Sequence, residues 1–201
     1  MVKIAAFIEF DKKITKKILY QKRIVKKNFG DQLYLNHPVH LTLFTLKIKK
    51  ISELKRIYQN QKKKLNKPFS VNVTSSDVFI NDPLTGGHTI FYKIKKNKKI
   101  SKVQLKHIKK INNNIQVLKN EAKLFKIAVL KKNYKKYGFP FVGKIWIPHT
   151  TIASIKNIEP NHRFLDKFLK SKLNLKCFVS AIKFYKISKN KHDFLFSIKN
   201  I

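Results

Sequence analysis

The chain is 201 residues long, 43% hydrophobic and 12% aromatic, with 46 Lys+Arg against 10 Asp+Glu and a formal net charge of +36. That length suits one domain or two small lobes sharing an interface. Its apolar content excludes disorder over most of the chain, and 5 Gly and 6 Pro exclude collagen-like or linker-like sequence.

The charge attracts polyanions, with RNA, DNA and acidic membranes as the usual partners. The same Lys-, Ile- and Asn-rich profile is what an AT-rich genome writes onto any surface, although drift alone accounts less well for so few acids. Only Arg23, Arg56 and Arg163 are arginine, which speaks against a dedicated bidentate reader of phosphates or bases.

Val2, Ile4, Ala6, Ile8 and Phe10 alternate as in a strand, and Asp11 is placed to cap the helix that follows. Ile14, Ile18 and Val25 or Ile24 recur at helical spacing up to Gly30. HPVHLTLFTLKI reads as a strand. Ile51, Leu54, Ile57, Tyr58 and Leu65 form a helical stripe, and Pro68 follows it. FSVNV, VFI and HTIFYKI read as strands, the last two joined by the turn NDPLTGG. Ser101 is a plausible cap for a helix through Val103, Leu105, Ile108, Ile111 and Ile115. Residues 120–136 read as a second helix or a mobile basic segment, and the wider stretch of about 116–140 as a solvated helix in preference to a substrate-facing basic flap. The chain is extended through FPFVGKIWIPHTTIASI, helical through Phe164, Leu165, Phe168, Leu169 and Leu173, and extended again in CFVSAIKFYKI and DFLFSIKNI.

Cys177, the single cysteine, lies in an apolar run and fits a buried thiol in a reducing compartment. The N-terminus lacks the design of a signal peptide, and no apolar run approaches the roughly 20 residues that span a bilayer. A soluble cytoplasmic protein with no membrane or obligate protein partner is expected.

The order is therefore β-α-β-α-β-β, then α-(insert)-β-α-β-β, with the second half (about 101–201) repeating the first (about 1–100). His40-Leu41-Thr42 and His149-Thr150-Thr151 share the pattern His-x-Thr at equivalent places. Phe69 and Phe178 each lie 29 residues beyond their histidine (69 − 40 and 178 − 149), where each is read as opening the next strand. Seven His and eight Thr in 201 positions give about 0.3 chance matches of His-x-Thr, so two on matching strands are unexpected.

Residues two apart on a strand share a face, so His40 pairs with Thr42 and His149 with Thr151. Packed about an approximate twofold, the pairs would meet in one cleft. Two imidazoles that titrate near neutral pH suit phosphodiester chemistry without a metal: the neutral one takes a proton from the attacking group and the protonated one gives a proton to the departing oxygen. Threonine hydroxyls would hold the non-bridging phosphate oxygens.

HPVHLTL and IPHTTIA resemble the two motifs of the 2H phosphoesterases, the superfamily of 2'-5' RNA ligases and 2',3'-cyclic phosphodiesterases. The resemblance spans nearly the whole chain in element order. It implies an α+β, bilobal, pseudo-twofold fold in which two antiparallel sheets line a central cleft with helices outside. It implies that His40 and His149 are the acid/base pair and that Thr42 and Thr151 bind phosphate. RNA ends with cyclic phosphates, 2'-5' linkages or related nucleotides are the implied substrates, with no cofactor. The polar group that many relatives carry after the second motif is replaced here by Ala153-Ser154-Ile155-Lys156.

Phe44, two beyond Thr42, and Trp146, three before His149, are candidates to stack on a base, with core packing the competing role. His37 reads as a loop residue. His88, His107, His162 and His192 stand in polar surroundings and are expected to be exposed. A zinc site from His37, His40 and His149 lacks thiol or carboxylate support. The alternative to an enzyme is a non-catalytic RNA-binding protein that uses its lysines on the same scaffold.

Overall fold

A computed structural model of the chain describes residues 1–59, 69–179, 181–188 and 191–199. Strand β1 (Val2–Glu9) turns Ile4, Ala6 and Ile8 into the core. Helix α1 (Lys12–Phe29) begins where the Asp11 carboxylate accepts the Ile14 amide at 3.0 Å. It ends at Gly30, whose φ of 68° places it in the left-handed region that glycine tolerates. Strand β2 (His40–Ile48) and helix α2 (Ile51–Gln59) follow. Leu65 and Pro68, read as part of that helix and its stop, lie outside the described residues, as do Ser180, Asn200 and Ile201 of the last two predicted strands.

FSVNV and VFI belong to one 14-residue strand, β3 (Phe69–Asp82), which turns into β4 (Gly87–Ile94). Helix α3 (Lys98–Lys110) is capped by Asn97, whose side chain accepts the Ile100 amide at 2.9 Å; Ser101 already lies inside the helix. The basic stretch forms two short helices, α4 (Lys119–Lys123) and α5 (Ala128–Tyr137). The run from Phe139 becomes strand only at β5 (His149–Ile155), after a 3-10 turn at Gly143–Ile145. Helix α6 (Arg163–Leu169) leads to β6 (Lys172–Val179), β7 (Ala181–Ser188) and β8 (Lys191–Lys199). Leu173, read as helical, is in β6.

Two four-stranded antiparallel sheets result, in the orders β2-β1-β7-β8 and β5-β4-β3-β6. The fold is thus the expected α+β arrangement of two antiparallel sheets with helices. CFVSAIKFYKI, read as one strand, is two, and they belong to different sheets. Each sheet mixes early and late segments: β3 and β4 pair with β5 and β6, while β7 and β8 extend the sheet of β1 and β2. A single hydrophobic cluster runs through both sheets and includes Ile14 and Ile18 of α1, Leu54 of α2 and Ile100 and Ile108 of α3. Burying each such side chain contributes about 1.5–3 kcal/mol.

β2 and β5 are edge strands of their own sheets, yet they run beside one another, with Cα–Cα separations of 8 Å or less. No described helix is long and apolar enough to cross a membrane.

Candidate active site

His40 and His149 open β2 and β5, the two edge strands that face each other. Local geometry repeats around them. Nδ1 of His40 lies 2.6 Å from the Pro38 carbonyl, and Nδ1 of His149 lies 2.8 Å from the Ile147 carbonyl. A carbonyl only accepts, so each Nδ1 carries the proton, and each ring keeps Nε2 as its free nitrogen.

The pairing repeats too. Phe7 stands opposite Thr42 on β1, and Phe91 stands opposite Thr151 on β4. The Phe7 ring stacks on His40 with centroids 3.7 Å apart, and the Phe91 ring lies 4.8 Å from His149. A second aromatic follows in each sheet: Tyr185 5.3 Å from Phe7, and Phe79 4.3 Å from Phe91. Beside each histidine the neighbouring strand carries half of an ion pair, Glu9 with Lys183 at 2.7 Å and Lys93 with Asp77 at 2.6 Å. The acid and base are exchanged between the two sites.

Both strands also bulge at the same offset. The register slips between Ala6 and Phe7 so that Leu43 is the extra residue of β2. It slips between Ile90 and Phe91 so that Ile152 is the extra residue of β5. Each is three residues past its histidine. A bulge reverses the alternation of faces. His40 and Thr42 are half-buried on one face, but beyond Leu43 the partly exposed positions become Thr45 and Lys47.

Phe44 is therefore not on the face of His40 and Thr42. It is completely buried, 6.3 Å from Phe184. Trp146 is 4% exposed and belongs to the core cluster. Neither offers a ring to a base; the aromatic faces beside the histidines are Phe7, Tyr185, Phe79 and Phe91, which alternation alone did not single out. The 29-residue spacing likewise marks no equivalence. Phe69 opens β3 and is buried, whereas Phe178 is next to last in β6 and exposed.

The other histidines divide. His162 is exposed as expected. His88 and His107 are buried, against expectation: His88 accepts the Asn81 amide at 3.2 Å and its Nε2 lies 3.0 Å from the Ile158 carbonyl, and His107 Nδ1 is 3.1 Å from the Tyr58 hydroxyl. His192 is half-buried near the first site, 4.5 Å from His37 and 5.6 Å from Phe7 between ring centroids. Among the described residues no group of three His, Cys, Asp or Glu side chains is arranged to hold a metal ion. Cys177 is buried, which pushes its thiol up to about 12.

Burial pushes His40 down to about 3, with repulsion from the cationic forms of His192, Lys22 and His37 adding to it, while the Pro38 carbonyl acts the other way. Burial also lowers His149, but there the Ile147 carbonyl and the Asp82 carboxylate oppose it. Asp82 is itself buried and accepts from the Thr89 hydroxyl at 2.7 Å and the Leu84 amide at 3.0 Å. The two sites match in shape and differ in charge.

No family model matches the sequence, and no curated protein matches it. Solved structures do match it over nearly their whole length. TT0787 of Thermus thermophilus is 14% identical with a TM-score of 0.65, covering 98% of this chain and 97% of that one. A structure described as a phosphoesterase is 9% identical with a TM-score of 0.58, over 98% and 97%. E. coli LigT complexed with 3'-AMP is 8% identical with a TM-score of 0.55, over 98% and 97%. At such identities the likeness speaks for the fold, and the chain has the fold of the 2H phosphoesterases, the superfamily that its two His-x-Thr motifs resemble.

Proposed function

We propose that the protein is a metal-independent phosphodiesterase or RNA ligase of the 2H type. It acts on RNA 2',3'-cyclic phosphate ends, 2'-5' linkages or related nucleotides, with His40 and His149 as the acid/base pair and the Thr42 and Thr151 hydroxyls donating hydrogen bonds to the phosphate. The observation that carries this reading is the repeated unit of histidine, threonine and bulge on two adjacent edge strands, each covered by a phenylalanine of the neighbouring strand. The same correspondence supports two related halves, about 1–100 and 101–201, that have exchanged strands. LigT structures complexed with 3'-AMP, ATP and NADP+ support a nucleotide-sized ligand. A reducing, cytoplasmic setting fits the single buried thiol.

In hydrolysis of a cyclic phosphate, water attacks phosphorus while the neutral histidine takes its proton. The ribose oxygen opposite leaves and takes a proton from the second histidine, giving a phosphate monoester and a free hydroxyl. Donation from the threonines holds charge on the non-bridging oxygens. In ligation an RNA 5'-hydroxyl replaces the water.

Incubation with 2',3'-cyclic mononucleotides, 2'-5' oligoadenylate and RNA bearing cyclic-phosphate ends, read by chromatography, tests this. Turnover should survive EDTA and fall by about 10²–10⁴ in His40→Ala and in His149→Ala. Equal turnover in wild type and both variants would retire the assignment. RNA binding with no product from any substrate would favour the non-catalytic reading that the charge of +36 suggests.

A further inference from the structure

We propose that Lys22 is a positioning residue for His40: its buried ammonium fixes the segment that leads into β2 and adds its charge to the burial that keeps His40 uncharged, with His40 as the proton acceptor and His149 as the proton donor. The assignment of roles rests on the phosphodiester reading above; the effect of Lys22 on His40 does not.

Lys22 occupies a position on α1 where an apolar residue is expected. The helix's buried stripe is Ile14, Ile18, Lys22 and Val25, and Lys22 is 4% exposed. None of the described ion pairs involves it. Its Nζ instead donates to three backbone carbonyls in one short turn, those of Tyr34 at 2.6 Å, His37 at 2.7 Å and Leu35 at 3.3 Å. An ammonium has three protons, and here each has an acceptor. Tyr34 has a φ of 73°, a left-handed conformation that a tyrosine keeps only when its surroundings impose it.

That turn is the hinge between the two candidate histidines. Downstream it runs directly into Pro38, whose carbonyl holds the His40 ring. Upstream it is bonded to β5 and the residue after it: the Ser154 amide donates to the Leu33 carbonyl at 2.9 Å, and the Lys156 amide to the Gln32 side chain at 3.1 Å. Fixing the turn therefore sets β2 against β5.

The charges around the rings are unequal. His40 faces Phe7 and Glu9 of β1, His37 of the turn, Lys22 of α1 and His192 of β8, and Glu9 is taken by Lys183 of β7. His149 faces Phe91 and Lys93 of β4 and Phe79 and Asp82 of β3, and Lys93 is taken by Asp77 of β3. With those pairs neutralised, a cation remains near His40 and a carboxylate near His149. A neighbouring cation repels a proton and a neighbouring carboxylate retains one.

The test is an NMR titration of the ring Cε1 signals of His40 and His149 in the full chain. In Lys22→Met, which keeps the length and removes the charge, the His40 midpoint should rise while His149 stays in place. The unaltered protein gives a second measurement that needs no folded variant. Burial lowers Lys22 to about 8, so His40 signals should show a further small step near that pH, and His149 signals should not. An unmoved His40 midpoint, or in a variant that fails to fold the absence of the step in wild type, overturns the coupling. With a 2',3'-cyclic mononucleotide, the acid limb of kcat/KM should move with His40 in Lys22→Met and the basic limb should not. Movement of the basic limb would reverse the roles and sink their assignment. Absence of turnover in wild type would remove the phosphodiester reading and both roles, while the titration still decides whether Lys22 controls His40.

Discussion

An imidazole whose Nδ1 proton is held by a carbonyl has only Nε2 left to offer, as acceptor when neutral and as donor when protonated, and both candidate histidines are held in this way. Stacking by Phe7 and crowding by Phe91 limit how each ring can turn, so Nε2 is aimed by packing as well as by hydrogen bonding. Thr42 and Thr151 stand two residues on, each half-buried with its hydroxyl free of protein partners among the described residues. Replacing either by valine keeps the β-branched shape and removes one donor. Such a change should lower kcat by about 10²–10³ if the hydroxyl stabilises transition-state charge, and thermal denaturation should hardly move. Loss confined to KM would instead make the threonines part of ground-state binding.

At the scale of elements, the bulges decide which side chains share the site. A bulge leaves backbone groups without their ladder partners, and one of these on β2 is supplied from outside the sheet. Gln104 of α3 is completely buried; its amide donates to the Leu43 carbonyl at 2.9 Å and the Phe141 carbonyl at 3.0 Å, and its oxygen accepts the Gly143 amide at 3.2 Å. Gln104→Leu is similar in volume but leaves these groups unpaired. It should cost roughly 2–4 kcal/mol in urea denaturation and reduce turnover through the displaced His40 and Thr42. An unchanged midpoint would mean that the bulge holds itself. The extent to which the sequence foretells the structure follows the same division. Caps such as Asp11 and Gly30, and the alternation of β1, are local and can be read directly. The bulges leave only a faint trace, the adjacent apolar pairs Leu43-Phe44 and Ile152-Ala153, and overlooking it put Phe44 on the wrong face. Lys22 hides in a helical stripe because lysine is so common in this chain. The break between β6 and β7 is invisible in an apolar run, since which sheet a strand joins depends on residues far away in sequence.

For the whole molecule, each sheet draws strands from both halves of the chain, so neither half completes a sheet alone. Burial lowers His107 to about 4, with Lys106 and Lys110 adding to the effect; His37 is lowered to about 4 and His40 to about 3. Each has a folded value below the ordinary 6.5, so the unfolded chain binds more protons between the two values. These histidines should therefore leave stability unchanged from pH 6.5 to about 8, where Lys22 begins to titrate, and lower it as the pH drops from 6.5 towards 4. The carboxylates whose values are lowered, Asp11 and Glu121, lose their contribution only at lower pH, through their own titration range. At pH 5 the neutral His107 alone should cost about 2 kcal/mol relative to pH 7.5. His107→Gln has nothing to protonate, so its loss of stability between those two pH values should be smaller than that of wild type by about this amount in urea denaturation. A net charge of +36 also resists added protons, but that repulsion weakens with salt. A buried imidazole is screened far less, so the difference between wild type and His107→Gln should persist at about 0.5 M salt. A difference that vanished there would assign the acid sensitivity to overall charge and not to the histidine.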